Sequence, residues 1–177
     1  MDQVILMCGH AGSGKSTLAH RLERAGYVLL SFDEEAWRRG YRIHPVAAEA
    51  GTEVHEHLLS RLTELVTKGS RVVVDTSFWA RASRDEYRDV LAPLGVEPVV
   101  YYLSTPRDVS LERLASRQNA GPNDIVVPAE RAIAYMDGFE VPTLAEGPVR
   151  VIRPGDRSDP AHPADPRDDG PAGPATP

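Results

Sequence analysis

The sequence predicts an α/β domain built as a three-layer sandwich, with a parallel sheet of about five strands, helices on both faces and a helical lid. Two observations predict this architecture. Short apolar runs alternate with amphipathic helical stretches along the chain, which is typical of parallel strands joined by crossover helices. The chain has 177 residues, of which 41% are hydrophobic and 26% charged, enough for one core and too few for two domains of ordinary size.

The predicted elements follow from periodicity and from the residues that break it. In order, they are strand 4–8, helix 16–25, strand 27–30, helix 34–39, a long helix from Pro45 to Gly69, strand 71–75, helix 81–91, strand 99–103, a helix from Thr105 to about Arg117, a helix from Pro128 to about Gly138, and strand 149–152.

Glycines and apolar spacing define the first half of the chain. Gly26 and Gly69 end the first and the long helix. In the long helix, apolar residues recur at helical intervals, at Val54, Leu58, Leu62 and Leu65. The strand 71–75 is continuous in β-branched residues, as a strand covered on both faces should be. Right-handed crossovers and the number of strands favour a central first strand, and the alternation of strands and helices implies helices on both faces of the sheet.

Proline and polar turns divide the second half. Pro93 with Gly95 separates helix 81–91 from the next strand, and Thr105 is predicted to cap the following helix. The segment 118–124, QNAGPND, is rich in turn formers and is predicted to be a mobile loop. After Pro154 proline, glycine and aspartate dominate, so residues 1–154 are predicted to form the domain and 155–177 a disordered tail.

A glycine-rich motif between the first strand and helix indicates phosphate binding. Residues 9–17, GHAGSGKST, match G-x-x-x-x-G-K-[ST], the P-loop or Walker A pattern of P-loop NTPases. The glycines let backbone N–H groups point at an anion, Lys15 reaches the outer phosphates and Ser16 is placed to bind Mg²⁺. The predicted ATP contacts are Gly9, His10, Ala11, Gly12, Ser13, Gly14, Lys15, Ser16 and Thr17.

Two acids are predicted at the same sheet edge as this loop. Asp33 follows the second strand and is our candidate for the base that accepts a proton from a hydroxyl acceptor; alternatively Ser31 or Asp33 caps the next helix. Asp75 ends the third strand, where a carboxylate orients Mg²⁺ or its water, or instead hydrogen-bonds the Ser16 or Thr17 region without touching the metal.

Two arginines are candidates for the cations that phosphoryl transfer requires. Arg113 and Arg117 are four residues apart, on one predicted helical face before the 118–124 loop. This spacing favours a lid that closes over the nucleotide and brings both guanidinium groups to the phosphates. The alternative is that they pair with Glu112 or Asp108 on a solvated surface.

Cations and aromatic residues cluster after Asp33. Arg38, Arg39 and Arg42 lie among Trp37 and Tyr41, which fits either an acceptor pocket or an exposed amphipathic turn. Beyond Asp75, Trp79 is predicted to line a pocket and not to lie in the core, because the residues next to it in sequence are not typical of a protein interior.

Composition limits the class of protein further. The net charge is −6, and residues 156–177 carry five acids and two arginines, so the folded part is near neutral; this does not favour a nucleic-acid track. No apolar run is long enough to span a membrane, and the first strand begins three residues from Met1, so a cytoplasmic protein is expected. The single cysteine, Cys8, is predicted to lie in the core.

Several segments together resemble a known family. GHAGSGKST, SFDEEAWR, VVVDTSFWARASRDEYR, STPRDVSLERLASRQ and VPAERAIAYMDGFEVP, between Val4 and Pro142, resemble the kinase domain of phage polynucleotide kinase and its small bacterial relatives, the zeta-toxin and chloramphenicol phosphotransferase group. The resemblance implies Lys15 and Ser16 on phosphates and Mg²⁺, Asp33 as base, Arg113 and Arg117 as lid arginines, and Asp75 and Arg84 near the acceptor. Polynucleotide kinases have an arginine three residues after the base; here that residue is Ala36.

These patterns predict an ATP- and Mg²⁺-dependent kinase that phosphorylates a hydroxyl of a small molecule, with Asp33, Lys15 and Arg117 catalytic and Asp33, Arg38, Trp79 and Arg84 around the acceptor. Two alternatives stay open. One is a polynucleotide 5′-hydroxyl kinase, and the other is a nucleotide-binding switch or accessory ATPase without an acceptor.

Overall fold

A computed structural model describes residues 2–42 and 45–153. Five strands form one parallel sheet in the order β2-β3-β1-β4-β5, which confirms the predicted α/β class and the central position of β1. The predicted tail, 155–177, lies outside the described residues. Within the described part of the chain, no helix is long and apolar enough to cross a membrane.

The elements lie close to the predicted ones. The strands are β1 Val4–Cys8, β2 Val28–Ser31, β3 Val72–Asp75, β4 Val99–Leu103 and β5 Val149–Ile152. The helices are α1 Lys15–Arg24, α2 Phe32–Arg38, α3 Ala48–Thr67, α4 Arg81–Leu91, α5 Arg107–Ala115 and α6 Ala129–Asp137.

Alternate residues of β1 face two hydrophobic cores, as the period of a strand requires. Val4, Leu6 and Cys8 pack in the core that contains residues of α3 and α4, among them Val54, Leu58, Leu62, Tyr87 and Leu91. Ile5 and Met7 pack on the other side with Leu18, Ala19 and Leu22 of α1. Every residue of β1 is therefore fully buried, and helices cover both faces of the sheet.

Strand register brings three chain segments to one edge of the sheet. Asp75, the last residue of β3, is opposite Met7 of β1 on one side and Ser31 of β2 on the other. The glycine-rich loop after Cys8 and the start of α2 therefore leave the sheet at the level of Asp75. Parallel strands bind ligands at this carboxyl edge.

The start of α5 differs from its prediction. Its N-cap residue is Pro106, and the predicted cap, Thr105, instead donates its hydroxyl to the Ser13 carbonyl, 2.8 Å away. No side chain caps the first turn of α5. The residue predicted as a local cap is thus a tertiary contact to the glycine-rich loop.

The end of α5 also differs, because the helix stops at Ala115 and does not reach Arg117. The N–H of Arg117 bonds the carbonyl of Leu114 at 3.2 Å, a tight last turn that leads the chain out of the helix. Similarly, α3 begins at Ala48, three residues later than predicted from Pro45.

Candidate functional site

The glycine-rich loop makes a tight turn between β1 and α1. Gly14 is the N-cap of α1 in the left-handed conformation, with φ 102°. At Gly12, φ is +80° and a Cβ atom would lie 2.5 Å from the carbonyl oxygen of Ser110 in α5. A side chain at Gly12 would therefore force the loop away from α5, so the sequence needs glycine there.

Side chains from the β4–α5 region hold the carbonyl groups of this loop. Thr105 binds the Ser13 carbonyl, and Arg113 donates Nη1 to the Gly12 carbonyl at 3.2 Å. The His10 ring nitrogen Nε2 lies 3.1 Å from the carbonyl oxygen of Thr105. With these carbonyls occupied, the loop and the first turn of α1 can offer their N–H groups to an anion, so the residues present fit a bound phosphate.

Lys15 begins α1 and lies against the loop that precedes it. Its Nζ donates to the His10 carbonyl at 3.2 Å. Burial lowers the pKa of Lys15, while the nearby carboxylates of Asp75 and Asp33 act in the opposite direction. The ammonium group is therefore placed between the phosphate loop and both of the acids that the sequence singled out.

Asp75 and Ser16 meet at the end of β3. Asp75 is 6% exposed, and its carboxylate lies near the Ser16 side chain. Burial raises the pKa of Asp75, an effect that Lys15 and the Ser16 side chain partly offset. This position is compatible with both interpretations of Asp75, as a group that orients Mg²⁺ or its water and as a partner of the Ser16 region.

The Ser16 and Asp75 oxygens also fit a Mg²⁺ ion bound with a nucleotide. No group of three or more His, Cys, Asp or Glu suited to a metal occurs in residues 2–42 and 45–153. Mg²⁺ in nucleotide sites needs no such cage, since it is usually held by one or two protein oxygens, phosphate oxygens and water. A hydroxyl and a carboxylate close together beside the phosphate loop are the donors that this mode of binding uses.

Asp33 is in the first turn of α2 and does not cap it. The cap is Ser31, whose Oγ accepts a hydrogen bond from the Glu34 N–H at 3.3 Å. The interpretation of Asp33 as the cap is therefore wrong. Asp33 is half-buried, and its charge offsets part of the lowering of pKa that burial causes at Lys15 and Arg117.

Arg117 lies near this acid, in the segment after α5. Its Nη1 donates to the Ile125 carbonyl at 3.1 Å, and burial lowers its pKa while Asp33 and Asp124 oppose that shift. Because α5 ends before Arg117, the prediction that Arg113 and Arg117 share a helical face is wrong. Arg113 contacts the backbone of the phosphate loop, and Arg117 is the arginine whose pKa the charge of Asp33 affects.

The 118–124 segment is organised by its own side chains. The Asp124 carboxylate accepts N–H bonds from Gln118 and Ala120, at 3.0 and 2.9 Å. Asn123 lies 3.2 Å from the His20 ring and 3.4 Å from a Glu34 oxygen, which brings the segment onto α1 and α2. Sequence reasoning missed the contacts of Asn123 and Asp124, although the tendency of Asn and Asp to bind nearby backbone in turns was a usable signal for Asp124.

The arginines after Asp33 contact side chains of α2. Arg38 makes two bonds to the Glu35 carboxylate, at 2.9 and 2.7 Å, and Arg39 makes a third at 2.7 Å. Arg42 lies over the Trp37 ring, 4.0 Å from its centre. An open cavity of about 320 Å³ adjoins this turn and is lined by Gly40, Tyr41, Arg42, Pro45, Val46 and Ala47.

Trp79 and Arg84 have opposite environments. Trp79 is 53% exposed in the loop after Asp75, in agreement with the expectation that it is not a core residue. Arg84 is completely buried, and its guanidinium group bonds the Glu146 carboxylate at 2.8 and 2.9 Å. The prediction that Arg84 contacts the acceptor is therefore wrong, because no part of its side chain is accessible.

Comparison with known proteins adds a family and a set of structural neighbours. The AAA domain family AAA_33 matches residues 4–142, and no curated protein matches the sequence. A candidate kinase from Chloroflexus aurantiacus J-10-fl is 19% identical, with 86% of this chain and 88% of that chain covered and a TM-score of 0.69.

Two further structures are similar over most of their length. Kti12 from Chaetomium thermophilum, solved with ADP-AlF3, is 16% identical over 88% of this chain and 92% of its own, with a TM-score of 0.68. A sugar kinase from Janibacter sp. HTCC2649 is 20% identical over 86% of each chain, with a TM-score of 0.60. At these identities the neighbours show that the fold is shared.

Proposed function

The chain belongs to the AAA domain family AAA_33 through residues 4–142, and from that premise we propose that it is a Mg²⁺- and ATP-dependent kinase acting on a hydroxyl group of a small molecule. One observation carries the proposal. Asp33, in the first turn of α2 at the carboxyl edge of the sheet, does not cap that helix, and its charge acts on the pKa of both Lys15 and Arg117. A kinase needs a base and cations in this relation to a phosphate cradle.

The reaction follows from the positions of these groups. The backbone N–H groups of the loop and the Lys15 ammonium bind the β- and γ-phosphates of ATP. Asp33 takes the proton of the acceptor hydroxyl while that oxygen forms a bond to the γ-phosphorus and the bond to the ADP oxygen breaks. Arg117 stabilises the charge on the transferred group. Mg²⁺, held through Ser16 and Asp75, supplies further neutralisation of phosphate charge when bound.

The structural neighbours are compatible with this proposal. They include a sugar kinase and a protein solved with ADP-AlF3, so the shared fold accommodates both nucleotide and a small acceptor in other chains. Their low identity to this chain leaves the acceptor to be argued from its own residues.

Charge pairing after Asp33 favours an acceptor without phosphate groups over a polynucleotide. Arg38 and Arg39 both bond Glu35, whose pKa they hold at about 2, with Arg38 the larger influence, and Arg39 also lies 3.8 Å from the Glu53 carboxylate. The resemblance to polynucleotide kinases implies an arginine at position 36 that would hold a nucleic-acid 3′-phosphate, but this chain has Ala36 there, which is buried. An anionic chain would have to compete with Glu35 for these two arginines.

The test combines an acceptor screen with one substitution. ADP release by the purified protein is measured with Mg-ATP and panels of sugars, nucleosides, aminoglycosides and 5′-hydroxyl oligonucleotides. At least one small acceptor should stimulate ADP release. Asp33→Asn should reduce transfer to that acceptor by roughly 10²- to 10⁴-fold, while the affinity for ATP stays within a factor of a few. The matched control is Asp89→Asn, which removes an exposed acid on α4.

Each alternative function has its own signature in that experiment. Stimulation of ADP release by 5′-hydroxyl oligonucleotides alone would support a polynucleotide 5′-hydroxyl kinase. ATP turnover that no acceptor stimulates and that Asp33→Asn leaves unchanged would support a nucleotide-binding switch. Normal transfer by Asp33→Asn would remove Asp33 from the mechanism.

A further inference from the structure

Arg84 is a fully buried charge that the proposed reaction does not use. All of its contacts reach parts of the chain that are distant in sequence or outside its helix. Nε and Nη2 bind the Glu146 carboxylate, and Nη1 donates to the carbonyls of Phe78 and Glu140, at 2.9 and 3.0 Å. One side chain therefore joins α4, the loop after β3 and the 139–146 segment.

The Phe78 carbonyl is a junction between Arg84 and the phosphate loop. Besides the Arg84 bond it accepts one from the Cys8 thiol, 3.4 Å away, and Cys8 directly precedes Gly9. Phe78 itself has φ +41°, a backbone conformation that a bulky residue adopts only when its surroundings enforce it. The two hydrogen bonds to its carbonyl and the burial of its ring stabilise Phe78 in this conformation.

The Glu140 contact connects the same loop to the other side of the phosphate cradle. The Glu140 N–H donates to the Trp79 carbonyl at 2.9 Å, so Trp79 is held by the segment that Arg84 also binds. Next to Glu140, the Phe139 ring meets the His10 ring edge-on, with 6.2 Å between centres. His10 is part of the glycine-rich loop. The segment that Arg84 binds therefore contacts both the glycine-rich loop and the loop that carries Trp79.

We propose that Arg84 is a positioning residue that fixes the 76–80 loop, and with it Trp79, relative to the phosphate loop by holding the carbonyls of Phe78 and Glu140. The kinetic part of this inference rests on the proposed kinase function, and the structural part does not. Trp79 is then held in a fixed position beside the acceptor. Asp75, which directly precedes the loop, is likewise held near Ser16.

The choice of arginine supports a positioning role. A buried ion pair is not by itself a gain in stability, since well-packed apolar residues often serve as well. What apolar residues cannot do is donate to two carbonyls while binding a carboxylate with two parallel bonds. The planar guanidinium group has five N–H donors in fixed directions, whereas lysine offers one compact ammonium group.

The test compares Arg84→Lys with a matched control on the same helix. Arg81→Met removes an exposed arginine whose partner is Asp85, 3.1 Å away. All variants carry Trp37→Phe, which leaves Trp79 as the single tryptophan of the chain. Acrylamide quenching and the emission maximum of Trp79 report the loop without any substrate. ATP affinity is measured by calorimetry, and kcat and KM are measured for each acceptor that scores in the panel.

A positioning role predicts that folded Arg84→Lys shows stronger quenching and a red-shifted Trp79, and roughly 10- to 100-fold lower kcat/KM for the acceptor, with ATP affinity within a factor of a few. Arg81→Met should match the parent in all readouts. A folded Arg84→Lys with unchanged Trp79 quenching and emission would overturn the inference, even if no acceptor is ever found.

A second variant covers the case in which lysine does not fold. Arg84→Met with Glu146→Leu removes both charges together and avoids a lone buried ion. If this double variant folds and its Trp79 signal equals that of the parent, Arg84 acts only through stability and the proposal is wrong. If its Trp79 signal changes while ATP affinity is kept, the loop depends on the arginine contacts as proposed.

Discussion

The side chain of Ser16, in the first turn of α1, lies close enough to the carboxylate of Asp75, the last residue of β3, to offset part of the rise in pKa that burial causes there. This proximity follows from strand order, because β3 is the direct neighbour of β1 and Asp75 is in register with Met7, two residues before the glycine-rich loop. Two oxygens that suit Mg²⁺ thus meet at the point where the phosphates of ATP are expected.

Asp75→Asn should weaken Mg²⁺ binding in the nucleotide complex by roughly 10- to 100-fold, because a neutral amide replaces the only charged ligand that we assign. Ser16→Ala should act in the same direction. The measurement is the Mg²⁺ concentration that gives half-maximal ATP affinity. Asp89→Asn serves as the control. An unchanged Mg²⁺ requirement in Asp75→Asn would show that the acid has only a structural role.

The affinity of this site for Mg²⁺ should depend on pH. Because burial raises the pKa of Asp75, its carboxyl retains a proton to higher pH than an exposed aspartate, and Mg²⁺ must displace that proton. Mg²⁺ affinity should therefore decrease as the pH falls, and the decrease should be absent in Asp75→Asn.

How far the sequence predicts this arrangement depends on whether a feature is local. The glycine-rich motif, the continuous β-branched strand and the apolar spacing of α3 are encoded in short windows, and the structure confirms the elements they predict. The meeting of Ser16 and Asp75 follows from strand order, which the rules for parallel sheets restrict to few possibilities.

Features that depend on distant partners could not be predicted in this way. Arg84 is buried because Glu146 and the Glu140 carbonyl receive its donors, and those partners are 62 and 56 residues away. Thr105 has the local signature of a helix cap, yet its hydroxyl binds Ser13 across the fold. Nothing in the sequence around either residue distinguishes these outcomes from exposure or from capping.

Arg117 and Arg113 should have separable roles. Arg117→Ala should lower kcat by roughly 10²- to 10³-fold with little change in the KM for ATP, since Arg117 lies near Asp33 and acts on the charge of the transferred group. Arg113→Ala should mainly raise the KM for ATP, because Arg113 holds a carbonyl of the loop. Steady-state kinetics of both variants check the prediction. Equal effects on kcat would contradict it.

Cys8 should be unreactive in the folded protein although it adjoins the phosphate loop. Burial raises the pKa of its thiol to about 11, and the nearby Arg84 and Lys15 offset this only in part. The thiolate that reacts with iodoacetamide is therefore scarce at neutral pH. Labelling followed by mass spectrometry should be slow in buffer and fast in concentrated urea, where the same cysteine is the control. Rapid labelling of folded protein would mean that the end of β1 opens.

Gly12 and Gly69 allow the cost of a close backbone approach to be separated from that of a left-handed conformation. Their φ angles are nearly equal, +80° and +77°, but a Cβ atom at Gly12 would lie 2.5 Å from the Ser110 carbonyl oxygen whereas nothing lies within 4 Å at Gly69. Gly69→Ala should therefore lower the free energy of unfolding by roughly 1–2 kcal/mol, the cost of a left-handed alanine.

Gly12→Ala should cost more than this, because it must also move the loop away from α5. Displacement of the loop redirects the N–H groups around the phosphates, so ATP affinity should fall in Gly12→Ala and stay unchanged in Gly69→Ala. Urea unfolding and calorimetric titration with Mg-ATP measure the two effects. Equal losses of stability, with ATP affinity retained in both, would show that the contact between the loop and α5 does not shape the phosphate site in solution.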